Sequence, residues 1–306
     1  MHVAVDGVEP QAVAPQHVEV GPSHEADGMA GGGQASAVEA ADRPTAHHDV
    51  SAHPRRLPAV PDLDDHSNTG EDRLYFRQLL AGRDFATHDP IARQMVNFVY
   101  LIGDRETGEA IAVDPAYSIE DLLAILDADG MKLTGALATH YHPDHVGGSM
   151  MGMSIVGVRE LLDTHPVPIH VQRDEAPWVQ RVTEASESDL VQHDSGDVVT
   201  VGAIPIELIH TPGHTPGSQC FYVADRLVSG DTLFLEGCGR TDLPGGDPAA
   251  LYESITQKLA KVPDHAVLYP GHLYSPEPSQ SMGDTRSHNF VYRLKTPEQW
   301  MTMFGG

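Results

Sequence analysis

The chain has 306 residues and a formal net charge of −25, from 44 acidic against 19 basic side chains. A surface that acidic repels phosphate backbones, so nucleic acid is expected neither as substrate nor as partner. No stretch approaches the roughly 20 apolar residues that span a bilayer, and no basic start precedes an apolar run, so a cytoplasmic protein without a membrane partner is expected.

Residues 1–70 are rich in Ala, Gly, Pro, His and Asp, with "GMAGGGQASA" at their centre. They have no apolar periodicity, cannot bury enough surface to offset their ordering entropy, and read as a disordered tail before a catalytic domain at 71–306. From residue 95 the pattern is that of an ordered domain. "MVNFVYLIG" and "AIAVD" are β-rich runs around the turn-like "DRETGE", which predicts a hairpin. "SIEDLLAILDADG" predicts a helix, with Ser118 as N-cap and Gly130 as stop. "KLTGALATH" reads as a short buried strand. "VGVRELL" and "DEAPWVQRVT" read as helices, with "VPIHVQ" a strand between them. "VVTVGAIPIELIHT", "SQCFYVA" and "RLVSGD" supply further strands. "DPAALYESITQKLAKV" predicts a helix capped by Asp247, and "AVLYPGH" a last strand and loop. The two cysteines, Cys220 and Cys238, are too few for a disulfide framework and read as a small buried residue and a loop thiol. Strands alternate with helices, so a layered α/β domain is expected.

Chemistry concentrates at residues 139–148, "THYHPDHVGG". Pro143 biases His142 toward extended geometry, so His140 and His142 project to one side at a strand end. Asp144 and His145 follow in the turn. Imidazole and carboxylate at that density suit Zn(II), Fe(II) or Mn(II). Three later segments put further ligand types at strand ends: His210 and His214 in "HTPGHTPGS", Asp231 in "VSGDTLF", and His272 in "LYPGH". Strand ends are where α/β folds gather their sites.

The ordered set "THYHPDH", "GHT", "SGDT" and "PGH" resembles the metallo-β-lactamase-fold superfamily over roughly residues 95–275. The resemblance implies an αββα sandwich with a metal site at the rim between two sheets. It implies one metal on His140, His142 and His214, a second on Asp144, His145 and His272, and Asp231 as the bridge. His210 falls outside the match and reads as a strand-end histidine, and the histidines of the tail are likewise given no ligand role.

The superfamily hosts several chemistries, so fold alone does not choose between them. Lactamases of this fold commonly lack the bridging aspartate or the histidine after the first aspartate, and nucleases carry an inserted domain. "TPGHTPGS", "SGDTLF" and the "GCGR" from Gly237 are similar to hydroxyacylglutathione hydrolases, also called glyoxalase II. That resemblance implies two divalent ions, with zinc expected, acting on the thioester of a small-molecule thiol conjugate. Metal-bound hydroxide would be the nucleophile, oriented by Asp144 as catalytic residue. Their "PGHEY" matches "PGHLY" here, which implies Tyr274 as a substrate contact. Long members add a C-terminal helical domain with basic glutathione contacts, and only a short segment follows His272, so the thiol carrier stays open. Arg240 reads either as a clamp on a substrate carboxylate or as a partner of Asp242. The alternative is a persulfide dioxygenase, which "GCGRTD" and "YLIGDRETGEA" also resemble. It implies one Fe(II) on His140, His214 and Asp231 and a glutathione-type persulfide as substrate. A metal-binding protein without catalysis is the lesser alternative. The sequence leaves the oligomeric state open.

Overall fold

The structure, a computed structural model, describes residues 73–305; the tail expected over residues 1–70 lies outside them. Two six-stranded sheets face each other. The first contains β1 (Leu74–Leu80), β2 (Phe98–Asp104), β3 (Glu109–Val113), β4 (Lys132–Leu137), β7 (Ile169–Gln172) and β8 (Leu190–His193), adjacent in that order. A short hairpin, β5 (Gly148–Met150) and β6 (Met153–Ile155), stands apart from both sheets. The second sheet contains β9 (Val198–Val201), β10 (Ile204–His210), β11 (Gln219–Val223), β12 (Arg226–Gly230), β15 (Val267–Pro270) and β16 (Gln280–Ser281). Between β12 and β15 the chain adds a two-residue ladder, β13 (Leu233–Phe234) and β14 (Gly237–Cys238).

Sequence and burial agree strand by strand. β2, FVYLIGD, is buried throughout, as a strand covered on both faces must be. β10 instead alternates, with Ile204, Ile206 and Leu208 buried and Pro205 and Glu207 exposed. Phe98, Tyr100, Ile102 and Ile111 of the first sheet pack against Ile206, Leu208, Phe221 and Val228 of the second. Burying each such side chain contributes about 1.5–3 kcal/mol. Helix Ile119–Ala128 covers the outer face of the first sheet with Leu122 and Leu126, and helices Val158–Thr164 and Ala176–Thr183 extend that cover. Helices Pro248–Glu253, Met282–His288 and Pro297–Phe304 cover the second sheet through Leu251, Met282 and Trp300. The result is the expected αββα sandwich. Among the described residues no helix is long and apolar enough to cross a membrane.

Three local readings need correction. Order begins before residue 95: β1 pairs with β2 along its whole length, and helix Pro90–Met95 follows it. β1 lacks a clean two-residue alternation, which is why its pattern is weak. The helix expected over 247–262 starts as predicted, with Asp247 accepting from the Ala249 and Ala250 amides. It then widens into a π turn at Ser254–Lys258 and ends as a 3₁₀ turn. That turn sends Ser254 Oγ to the Pro212 carbonyl and Lys258 Nζ to the His210 carbonyl, so tertiary contacts with the 210–214 loop accompany the change in pitch. Lastly, Glu175 stands just before its helix rather than within it.

Parallel pairing gathers the strand ends. Val113 of β3 pairs with Leu137 of β4, so Asp114 and Thr139 emerge together. Gly230 of β12 pairs with Pro270 of β15, which brings Asp231 beside His272. The two sheets meet at this rim, where Asn97 forms a bridge to His272 and the Gln219 amide donates to the Thr139 carbonyl. Gly230, at φ 49°, is needed there, because a Cβ would lie 2.6 Å from Thr139 Cβ.

Candidate metal centre

The first ligand segment leaves β4 at Leu137 and turns into one helical turn, Pro143–Val146, with His142 as its N-cap. That turn carries Asp144 and His145, both buried. His214 comes from the loop after β10, Asp231 from the end of β12 and His272 from the end of β15. His140, His142 and His214 present nitrogens within 4.8 Å of one another, and Asp144, His145 and His272 form a second such group. Asp231 reaches both: its carboxylate lies 3.7 Å from His214 Nε2, 3.5 Å from His145 Nε2 and 3.3 Å from His272 Nε2.

Hydrogen bonds around the rings fix which nitrogen faces inward. His145 Nδ1 donates to Asp114 Oδ2 at 2.9 Å, and His272 Nδ1 to the Met95 carbonyl at 2.8 Å. His214 Nδ1 donates to the Arg240 carbonyl at 2.7 Å. Thr139 gives its hydroxyl proton to Asp114, so its oxygen accepts from His140 Nδ1 at 2.9 Å. Each of these four rings therefore turns Nε2 toward the centre. His142 instead offers Nδ1, 3.0 Å from His214 Nε2. His145 Nε2 and His272 Nε2 lie 3.2 Å apart. Two ring nitrogens that close need a proton or a metal ion between them.

The charges at the rim act on these groups unequally. Burial, with His145, His142 and His214 nearby, holds His140 well below the usual imidazole range, so it stays a neutral donor. Burial pulls His145 down too, but Asp144, Asp231 and Asp114 outweigh it and push it up to about 10. Burial would raise Asp231, yet His272 and His145 draw it well below the carboxylate range. Two buried polar atoms here have no hydrogen-bond partner, His140 Nε2 and Asp231 Oδ1. Orphans of that kind are rare in a core, and both are ligand types. The residues present fit divalent cations.

All seven expected ligand residues thus stand at one rim. His210 stands apart, with Nε2 toward the Pro216 carbonyl. A cavity of about 770 Å³ opens beside the cluster, and Arg240 and Tyr274 line it. The Tyr274 ring stacks on His272 at 4.6 Å between centroids. Arg240 forms a two-pronged pair with Asp242, both bonds 2.6 Å, which is the salt-bridge alternative. Cys220 is buried, and Cys238 is partly exposed on the cavity wall.

Three supporting residues escaped the sequence reading. Asp114 closes the "AIAVD" run and carries the same strand-end signal as Asp231. Asn97 donates to Asp144 at 3.1 Å and accepts from Tyr117 OH at 2.7 Å, and nothing local in the sequence marks it. Glu175 is buried, and its two oxygens accept the Tyr141 amide at 2.6 Å and the Gly217 amide at 2.7 Å. It ties the His140–His142 loop to the loop that carries His214. Burial outweighs these donors and pushes its carboxyl up to about 7. Glu175→Ala leaves two buried amides unpartnered and is expected to cost roughly 2–5 kcal/mol. Thermal melting measures this, and a loss below about 1 kcal/mol would show that the loops are held by other contacts.

A family model described as the metallo-beta-lactamase superfamily matches residues 93–272. A hydroxyacylglutathione hydrolase of Polaromonas sp. is 38% identical over 58% of this chain and 62% of its own length. A mitochondrial persulfide dioxygenase, ETHE1 of Bos taurus, is 31% identical over 64% of this chain and 75% of its own. The crystal structure of ETHE1 from Myxococcus xanthus superposes with a TM-score of 0.62 at 28% identity, covering 76% of this chain and 90% of that one.

Proposed function

The chain belongs to the metallo-beta-lactamase superfamily, and from that premise we propose that residues 71–306 are a metal-dependent hydrolase acting on the thioester of a small thiol. The observation that carries this reading is the completeness of the second cluster. Asp144, His145 and His272 converge beside Asp231, with His145 and His272 turning Nε2 inward because Nδ1 of each is engaged by an outer acceptor. These three residues are the ones that a second cation would use, and in the one-iron alternative they would stand around the metal without binding it.

In this reading His140, His142 and His214 would hold one cation and Asp144, His145 and His272 a second, with Asp231 available to both. The imidazole-rich donor set suits zinc. When bound, a pair of such cations lowers the pKa of water toward neutrality and polarises an ester carbonyl. The chain's own residues supply the rest. Asp144 lies on the cavity wall with Asn97 fixing its carboxylate, so it orients the attacking water. Tyr274 covers His272 and borders the substrate beside it. Because a thiolate leaves readily, no strong general acid is required. Arg240 engages a substrate carboxylate only by releasing Asp242.

The likeness to persulfide dioxygenases favours a second reading, one Fe(II) on His140, His214 and Asp231, a two-histidine, one-carboxylate face. His272→Ala separates the two. The hydrolase is expected to fall from about two metals per chain to about one and to lose at least 100-fold in hydrolysis of an S-acyl glutathione. One iron per chain in the parent, retained in the variant, with oxygen uptake on glutathione persulfide, overturns the hydrolase.

A further inference from the structure

The wall of the cavity beside the metal cluster carries more hydrocarbon than thioester cleavage alone uses. Met95, Met150, Met151, Phe234, Leu243 and Phe290 all line it, from separate parts of the chain. Hairpin β5–β6 turns through Met151 and Gly152 at φ 52° and 77°. That turn leaves Met151 87% exposed, and Phe290, from another part of the wall, is 41% exposed. A non-glycine residue held at positive φ to present an apolar side chain to water gains little for the fold. Methionine's flexible thioether suits it to cover a chain of varied shape. Outside those assigned to the metals, the described residues of the wall offer no uncancelled positive charge for an anionic acyl group. There Glu236 is negative and Arg240 is neutralised by Asp242.

We infer that the Met151 hairpin and Phe290 form an acyl-chain subsite, so that the preferred thioester carries an extended apolar acyl group rather than a short hydroxyacyl group. This rests on the hydrolase reading above. The reaction balances without a further reactant: the water oxygen bonds to the carbonyl carbon, the carbon–sulfur bond breaks, and a carboxylic acid and a thiol result. Each methylene moved from water to hydrocarbon is worth about threefold to fourfold in binding.

The test uses two thioethers that cannot be cleaved, S-octyl and S-methyl N-acetylcysteamine, titrated into the metal-loaded protein by calorimetry. The octyl compound is expected to bind at least about 30-fold more tightly, since partial burial of its additional methylenes suffices for that ratio. In the double variant Met151→Ser, Phe290→Ser that ratio is expected to fall to about threefold or less. Equal binding by the parent protein, or an undiminished ratio in the variant, overturns the subsite. Hydrolysis of S-octanoyl and S-acetyl N-acetylcysteamine is measured alongside, with kcat/KM expected to favour octanoyl at least about tenfold. Turnover of neither, nor of S-octanoyl glutathione, with the octyl advantage intact, removes the hydrolase reading and leaves an apolar subsite for another reaction. Turnover of both at equal kcat/KM leaves the hydrolase and removes the acyl preference.

Discussion

His140→Ala and Asp231→Ala are each expected to abolish activity, under the two-metal and the one-iron readings alike. Both residues belong to the ligand set of either. His140 Nε2 and Asp231 Oδ1 are also buried atoms at the rim without a hydrogen-bond partner, as ligand atoms waiting for a cation would be. Asp231 lies within reach of His145, His214 and His272, and its loss removes the one carboxylate common to both clusters. Metal affinity should fall by far more than the roughly 10- to 100-fold of an outer contact. Metal content after dialysis, together with turnover, checks this. Near-normal turnover at full metal content in either variant would show that the site lies elsewhere. His210→Ala is the control and should be mild, since its ring reaches only the Pro216 carbonyl.

Asp114→Asn should lower metal affinity and turnover by about 100-fold, the upper end of the range for a group acting through a ligand. Asp114 is buried and sits at φ 55°, a left-handed conformation that Asp and Asn both tolerate, so the substitution keeps the backbone and tests the carboxylate. Its oxygens accept from the Thr139 amide at 2.7 Å, the Thr139 hydroxyl at 2.6 Å and His145 Nδ1 at 2.9 Å. One carboxylate thus sets the tautomer of His145 directly and that of His140 through Thr139. An amide nitrogen in place of one oxygen donates where these groups need an acceptor. His145 or Thr139 then loses its partner, and the wrong ring nitrogen carries the proton. Metal titration at constant pH measures the loss. A change below about threefold would mean that the rings keep their orientation without the carboxylate.

The ligand set was legible in the sequence because it lies in short segments where strand, turn and ligand are adjacent. "THYHPDH" holds four candidates in six positions, and "SGDT" and "PGH" each follow an apolar run. Alternation within β10 and the capped helix at Ser118 were readable for the same reason, since periodicity and capping act over a few residues. Asn97, Asp114 and Glu175 act on residues far along the chain: Asn97 touches Asp144, Asp114 touches His145, and Glu175 joins Tyr141 to Gly217. No local spacing announces such a contact.

The tertiary structure also pairs Arg240 with Asp242, the contact that the sequence offered beside a substrate clamp. It set the π turn at Ser254–Lys258, where bonds to the 210–214 loop accompany a pitch that helix propensity alone does not favour. The parallel registers β3–β4 and β12–β15 bring Asp114, Thr139, Asp231 and His272 to one rim. The sequence by itself determined which residue types were available as ligands and that they stood at strand ends. Which ring nitrogen faces inward, and which side chains hold it there, depended on hydrogen bonds between segments that meet only when the two sheets close.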